Sequence, residues 1–388
     1  MKNYSNPYRE LFLLDPDVVF LNHGSFGATP KPVFESYQRW QRELERQPVA
    51  FLGRRIRSLL QSSRENLGEY LHTAADNLVF VTNATHGLNI VAHSLSLGPG
   101  DEVLSSNHEY GALDRTWRFL SQKFGFKYIN ISVPIPDHSP DDFVGAIFDY
   151  VTPQTRVIFL SHITSPTAII FPIKEICDRA KSAGILTVID GAHAPGQIRL
   201  DMDDLGADFY SGNLHKWLCA PKGSAFLYAS PHVQPLIEPL IVSWGWESEN
   251  PGKSRFVDVL EWNGTRDPAA FLAVQDAIAF QHEHDWETVR AECHKMAAET
   301  QKRITQLTGI SAINGDNQSL FAQMATSPLP DELDADTVKN QLYDRYRIEV
   351  PLINWEGRNL IRYSFQAYNT VEDMERFIAA LSEIINCS

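Results

Sequence analysis

The stretch Ile185-Leu-Thr-Val-Ile-Asp190-Gly-Ala-His193 ends an apolar run on a carboxylate, and Ser211-Gly-Asn213-Leu-His215-Lys216-Trp217 places a lysine 26 positions later (216 − 190). A short apolar run closed by glycine reads as a strand buried on both faces, inside a parallel sheet covered by helices. A second short run, Ala207-Asp-Phe-Tyr210, lies between the two motifs, so carboxylate and lysine are expected at the ends of two successive strands. The open ends of parallel strands are where such sheets bind ligands. An aspartate ending a strand is common and a lone lysine in a loop is usually solvated, so the argument rests on the pair in its surroundings.

The rest of the chain fits an α/β fold. Strands at Leu78–Val81, from the turn Gly98–Leu104 to Asn107, at Phe126–Ile131 and at Thr155–Leu160 alternate with helical spacing at 31–47, 51–71, from 82–87 to about 96, 113–123, 141–150 and 173–183. At 388 residues the chain is too long for one small core. We expect an N-terminal arm over 1–20, a large domain over 21–283 and a small α+β domain over 284–388. The last contains a long polar helix from Trp286, strands near Leu320–Met324, Ile348–Leu352 and Asn359–Ser364, and a final helix from Val371.

A net charge of −14 and a pI near 5.4 argue against general affinity for nucleic acid or acidic membranes. Four scattered cysteines without a C-x-x-C pair indicate neither a zinc site nor a disulfide framework, and no metal is expected. No run approaches a membrane span, and the N-terminus has no apolar segment of signal length, so a cytoplasmic protein is expected.

Several segments offer chemistry beside a bland reading. Thr82-Asn83-Ala84-Thr85-His86-Gly87 opens a helix after a strand, where unpaired N–H groups and a partial positive charge suit a phosphate; Asn83 or Thr85 as a plain helix cap is compatible with that role. The glycines of Asn22-His23-Gly24-Ser-Phe-Gly27 allow close approach to a ligand, which makes His23 and Gly24 candidates for substrate contact; a simple turn is the alternative. Ser243-Trp244-Gly-Trp246 fits a substrate wall or a subunit contact. The crowded Arg54, Arg55 and Arg57 read as a solvent or subunit surface.

Pyridoxal phosphate needs a lysine to hold it covalently and a carboxylate to keep its ring nitrogen protonated, and Asp190 and Lys216 supply both groups. On Asn22–Gly27, Asp190-Gly-Ala-His193 and Gly212-Asn213-Leu-His215-Lys216-Trp217, the chain from about Leu21 onward resembles the fold-type I, class V pyridoxal-phosphate enzymes. Within them it is most similar to the isopenicillin N epimerase-like branch. The resemblance implies a mostly parallel seven-stranded sheet covered by helices, with a smaller α+β C-terminal domain.

The same resemblance implies roles for individual residues. Tyr110 matches the ring that stacks on the cofactor, with His108 as an alternative ring. His162 and Thr164 lie beside the cofactor's hydroxyl, and His193 is placed to hydrogen-bond its phenolic oxygen unless it is a core histidine. Asn213 and His215, beside the lysine, are expected to bind the cofactor, and His215-Lys216-Trp217 offers groups that can bind phosphate and exclude water. Thr265 in Gly264-Thr265 reaches the phosphate of a partner subunit, which implies a homodimer with shared sites. Arg362 in Ile361-Arg-Tyr-Ser364 holds a substrate carboxylate, or is an ordinary edge-strand arginine.

Intact Asp190, Lys216 and Arg362 favour an enzyme acting on a small-molecule amino acid over a fold kept as a binding or regulatory module. Desulfurases of this class carry a nucleophilic cysteine shortly before the carboxylate arginine, and residues 343–362 contain none. Epimerisation is the expected outcome, with transamination or C–S β-elimination as alternatives that begin from the same loss of the Cα proton.

Overall fold

A computed structural model describes residues 6–133 and 140–387, so the first five residues of the expected N-terminal arm lie outside it. In chain order the strands are β1 (Val19–Phe20), β2 (Leu78–Val81), β3 (Glu102–Ser106), β4 (Lys127–Ile131), β5 (Thr155–Ser161), β6 (Leu186–Asp190), β7 (Phe209–Asn213) and β8 (Ala225–Ala229). They are followed by β9 (Met324–Pro328), β10 (Ile348–Glu349), β11 (Leu352–Trp355) and β12 (Arg358–Ser364). Strands β2 to β8 form one seven-stranded sheet in the order β2-β8-β7-β6-β5-β3-β4. Only β8 pairs antiparallel, with β2 and β7; the other neighbours are parallel.

Alternate side chains of these strands enter two separate apolar cores. Val79, Val103, Val157, Val188 and Leu227 join the helices Ala84–Ser94, Gly111–Phe124 and Arg255–Glu261 on one face. Phe80, Leu104, Ile158, Ile189 and Phe226 join Ile56–Leu71 and Ile173–Ser182 on the other. A pleated strand sends successive side chains to opposite faces, so helices on both sides demand apolar residues at nearly every position. This is why the strands read as unbroken apolar runs.

The second core continues into the C-terminal part through Trp286, Val289, Phe377 and Leu381. There β11, β12 and β9 form an antiparallel sheet beside helices Trp286–Thr308, Ala335–Tyr346 and Val371–Cys387. The N-terminal β1 pairs parallel with β10, so the arm is tied to the C-terminal part. Two expected strands shift. Asn317 turns the chain by accepting from the N–H of Ser319, so the strand expected from Leu320 begins only at Met324. Pro351, which has no N–H for a ladder, divides the strand expected over Ile348–Leu352 into β10 and β11. The loop expected at Asn22–Gly27 contains a helical turn, His23–Phe26, closed by Gly27 at φ 68°. No helix among the described residues is long and apolar enough to cross a membrane.

Candidate active site

The C-terminal ends of β5, β6 and β7 and the start of the helix after β2 open onto one cavity of about 440 Å³. Asn83, Ala84, Thr85, Tyr110, Asp190, His193, Asn213, His215 and Lys216 all line it. Parallel pairing explains the convergence, because strands running the same way deliver their ends to one edge.

Asp190 ends β6 in a buried position, where one carboxylate oxygen accepts the N–H of Ala192 at 2.9 Å. Burial raises its pKa, against the opposing effects of that N–H and of Lys216. Lys216 follows β7, with Nζ 3.2 Å from Nε2 of His193. Burial pulls the lysine down from its ordinary value, Arg362 adds to the fall, and Asp190 opposes it.

The indole N–H of Trp217 points at His193 Nδ1 from 3.3 Å. An indole nitrogen only donates, so Nδ1 is the acceptor and the proton of a neutral His193 sits on Nε2. Burial, then the charges of Lys216 and Arg362, hold that imidazole well below the ordinary histidine range. Nε2–H can therefore donate to Lys216 Nζ whenever the amine is neutral, a form that a pKa lowered to about 7 makes accessible near neutrality. A neutral amine is the form that attacks a carbonyl.

The helix Ala84–Ser94 presents its N-terminus to the same cavity. Asn83 caps it by accepting from His86 N at 2.8 Å, and Asn213 Oδ1 takes the N–H of Ala84 at 2.8 Å. Asn213 thus ties the lysine strand to the helix start. Thr85, the next residue of this helix start, also lines the cavity, and a helix N-terminus suits a phosphate. Gly87 lets the helix approach the sheet, since a Cβ there would lie 2.3 Å from Ser211 Oγ. His215 donates from Nδ1 to Ser224 O at 3.0 Å, and burial, partly offset by that bond, lowers its pKa to about 4.

Arg362, on β12, is buried and donates to Ser165 O and Oγ and, at 3.3 Å, to Ser25 Oγ. Ser25 and Ser165 are themselves cavity-lining. Among the described residues no carboxylate pairs with this guanidinium. Burial lowers its pKa to about 10, so it remains a cation near neutrality.

Other expected residues stand elsewhere. His23 does not touch the cavity: it is wholly buried behind Lys216, bonded to the lysine's carbonyl and to Tyr368. Gly24 is packed against Met324 and Trp217. Thr164 is buried in hydrogen bonds to Thr167 and Ile169, and His162 bonds Tyr210, because the turn after β5 folds their side chains inward. That turn instead presents Ser161, Ile163 and Ser165. His108 is buried against Trp355 and Thr167, so Tyr110, 46% exposed at the cavity, is the available ring. Trp244 is 85% exposed and lines a different cleft, with Arg57 and Lys253. Thr265 is exposed and outside its own chain's cavity, and Asp267 accepts the N–H of Ala269 at the start of the following helix, whose N-cap is Pro268.

Sequence reasoning missed Glu109 and the two serines that hold Arg362. Glu109 is buried between the hydroxyls of Ser106 and Ser161, each at 2.6 Å, and burial pushes its pKa up to about 8, with Asp190 adding to the rise. Ser161 is the register partner of Asp190 across β5 and β6. Glu109 directly precedes Tyr110, and a lone acidic residue in a loop gives no signal of burial.

The set fits pyridoxal phosphate: a free amine, a buried carboxylate and an open helix N-terminus surround one cavity. The chain is 36% identical to the isopenicillin N epimerase of Amycolatopsis lactamdurans, covering 97% of each chain. It is 27% identical to a probable chloroplastic L-cysteine desulfhydrase of Arabidopsis thaliana, over 96% of this chain and 84% of that one. In fold it is similar to a cysteine desulfurase from Thermococcus onnurineus NA1, with a TM-score of 0.84, 20% identity and 98% of each chain covered. The class-V aminotransferase model matches residues 20–377, and the chain belongs to this family of pyridoxal-phosphate enzymes.

Proposed function

We propose that the enzyme removes and returns the Cα proton of an amino acid or amino-acid derivative, with epimerisation as its outcome. The observation that carries this reading is the buried, carboxylate-free guanidinium of Arg362 beside Lys216. Arg362 is a buried cation that meets only serine oxygens, so its charge favours an anionic occupant. A substrate carboxylate on Arg362 would take over donors now given to neutral serine groups, in a bidentate pair.

Pyridoxal phosphate, when bound, supplies an electron sink that stabilises a carbanion at Cα. Asp190 would keep a proton on the cofactor's ring nitrogen, Thr85 and the helix start would hold its phosphate, and Tyr110 would be the ring available to stack on it. Lys216 takes the Cα proton once its Nζ is free, and its lowered pKa near neutrality suits a general base. Once Lys216 Nζ moves away, the Nε2–H of His193 would be free to donate to the cofactor's phenolic oxygen.

Elimination is the second reading, favoured by the likeness to a desulfhydrase. The desulfurase type of sulfur chemistry is disfavoured, since the segment before Arg362 is a tight hairpin without cysteine. Its tip is held by Trp355 Nε1 on Asn107 O at 2.9 Å and by Glu356 on Asn107 Nδ2 at 2.6 Å.

A homodimer is part of the proposal. Leu240, Ile241, Val242, Trp244 and Trp246 leave an exposed apolar run that a second copy would cover, with Thr265 serving the partner's phosphate. A panel of D- and L-amino acids and cysteine conjugates in deuterated water tests the reaction. Inversion with deuterium at Cα supports epimerisation, pyruvate and ammonia elimination, and a new amino acid from an added keto acid transamination. Sulfur release from cysteine without exchange or inversion of any amino acid would overturn the epimerase reading.

A further inference from the structure

We propose that the helical turn His23–Phe26 is a positioning bridge: His23 holds the backbone of Lys216 and Ser25 holds the guanidinium of Arg362. One rigid element then sets where the Cα proton is taken relative to where the carboxylate is gripped. The proposal rests on the reading of Arg362 as the carboxylate site.

At one end, His23 Nε2 lies 3.0 Å from Lys216 O and Nδ1 lies 3.0 Å from the Tyr368 hydroxyl. A carbonyl only accepts, so Nε2 carries the proton and Nδ1 accepts from the phenol. The same carbonyl accepts Cys219 N at 3.0 Å, closing a turn in which Cys219 adopts φ 63°. Both carbonyl lone pairs are thus used, and the backbone from which the lysine side chain springs is fixed on two sides. Burial, with Lys222 and Lys216 adding to it, pulls His23 down to about 3, so this pattern of donors stays constant at working pH.

At the other end, Ser25 Oγ accepts from Arg362 Nη2 at 3.3 Å and donates to Asn22, whose amide donates to Glu349 at 2.9 Å. Between the ends the turn is locked. Gly24 N donates to Ser364 Oγ at 3.1 Å, two residues beyond Arg362. A Cβ on Gly24 would meet Met324 Sδ at 2.6 Å, and one on Gly27 would meet His215 O at 2.0 Å. Backbone therefore presses on backbone beside the lysine, and the turn has no room to slide. His23 touches neither the cavity nor the reacting atoms, so it is a positioning residue.

The test uses full-length, cofactor-loaded protein with L-alanine as probe. It reads the Cα–H exchange rate, the apparent Kd from spectral titration, and the pH midpoint of the bound cofactor's visible absorbance. His23→Phe should slow exchange about tenfold or more, since small misplacements of a reacting group are costly, and should move the midpoint while leaving Kd nearly unchanged. His23→Gln, which keeps an N–H for the carbonyl, should recover most of the rate. Ser25→Ala should weaken Kd about fivefold, the worth of one hydrogen bond, with the midpoint unmoved.

If His23→Phe does not fold, Tyr368→Phe carries the test, because it removes only the hydroxyl that donates to Nδ1; exchange should slow about threefold. Unchanged rate and midpoint in the folded variant would overturn the bridge, as would equal losses in His23→Gln and His23→Phe. If Arg362→Lys weakens Kd and Ser25→Ala does not, the bridge fails alone. If Arg362→Lys leaves Kd unchanged, the carboxylate reading fails and takes the bridge with it.

Discussion

Trp217 donates its indole N–H to His193 Nδ1, and this single bond sets the proton of His193 on the nitrogen 3.2 Å from Lys216 Nζ. In its neutral form the lysine amine is thereby an acceptor. Trp217→Phe would free the imidazole to place its proton on Nδ1 and accept from an ammonium instead. The pH at which apo-protein takes up cofactor covalently should then rise by about one unit, the worth of one hydrogen bond. An unchanged uptake profile would remove Trp217 from this role.

Lys216→Ala should abolish the covalent adduct that borohydride traps between protein and cofactor. Cα–H exchange should fall by about a hundredfold or more with loss of the general base. Equal trapping in the variant would show that another amine holds the cofactor.

Asp190→Asn should still bind cofactor, because the helix start at Thr85 proposed to hold the phosphate is untouched, yet exchange solvent deuterium into substrate about a hundredfold more slowly. Only a charged carboxylate keeps the ring nitrogen protonated in a buried site. Exchange at the parent rate would exclude this assignment.

Thr265→Ala should weaken cofactor affinity about tenfold, as a charge-assisted hydrogen bond to phosphate is lost, although Thr265 lies outside its own chain's cavity. Sedimentation should give a dimer for the parent protein. A monomer with full cofactor affinity would defeat the shared-site reading.

Glu109 gives a prediction in pH. Its pKa stands at about 8 in the fold against an ordinary 4.5, with burial the main cause. Between those values the folded state binds the proton more tightly than the unfolded chain, so this group's contribution to stability is full below about 4.5 and is lost as pH rises toward 8. Glu109→Gln removes the titration and keeps the shape. Its melting temperature should therefore gain on the parent's between pH 5 and 8; parallel curves would place the carboxyl's titration elsewhere.

Much of the scaffold was legible because it follows from local rules. Runs such as Val157-Ile-Phe-Leu160, too short for a helix and rich in β-branched and aromatic residues, read as strands with both faces covered, and their parallel order carries Asp190 and Lys216 to one edge of the sheet. The helix start at Asn83–Thr85 was equally plain, since capping depends on residues three apart. Composition and order along the chain determine these features before any long-range contact forms.

The fine structure of the site was decided by packing between distant segments. Ser25 meets Arg362 across 337 positions and His23 meets the Lys216 carbonyl across 193, and neither pair has a local signature. Which ring of the His108-Glu109-Tyr110 loop faces the cavity depended on Trp355 and Thr167 closing over His108. The lowered pKa of Lys216 came from burial and Arg362, and the tautomer of the His193 beside it from Trp217. Sequence named the lysine and the aspartate, but charge state and aim are properties of a surrounding shell, and a shell exists only once the chain has folded around it.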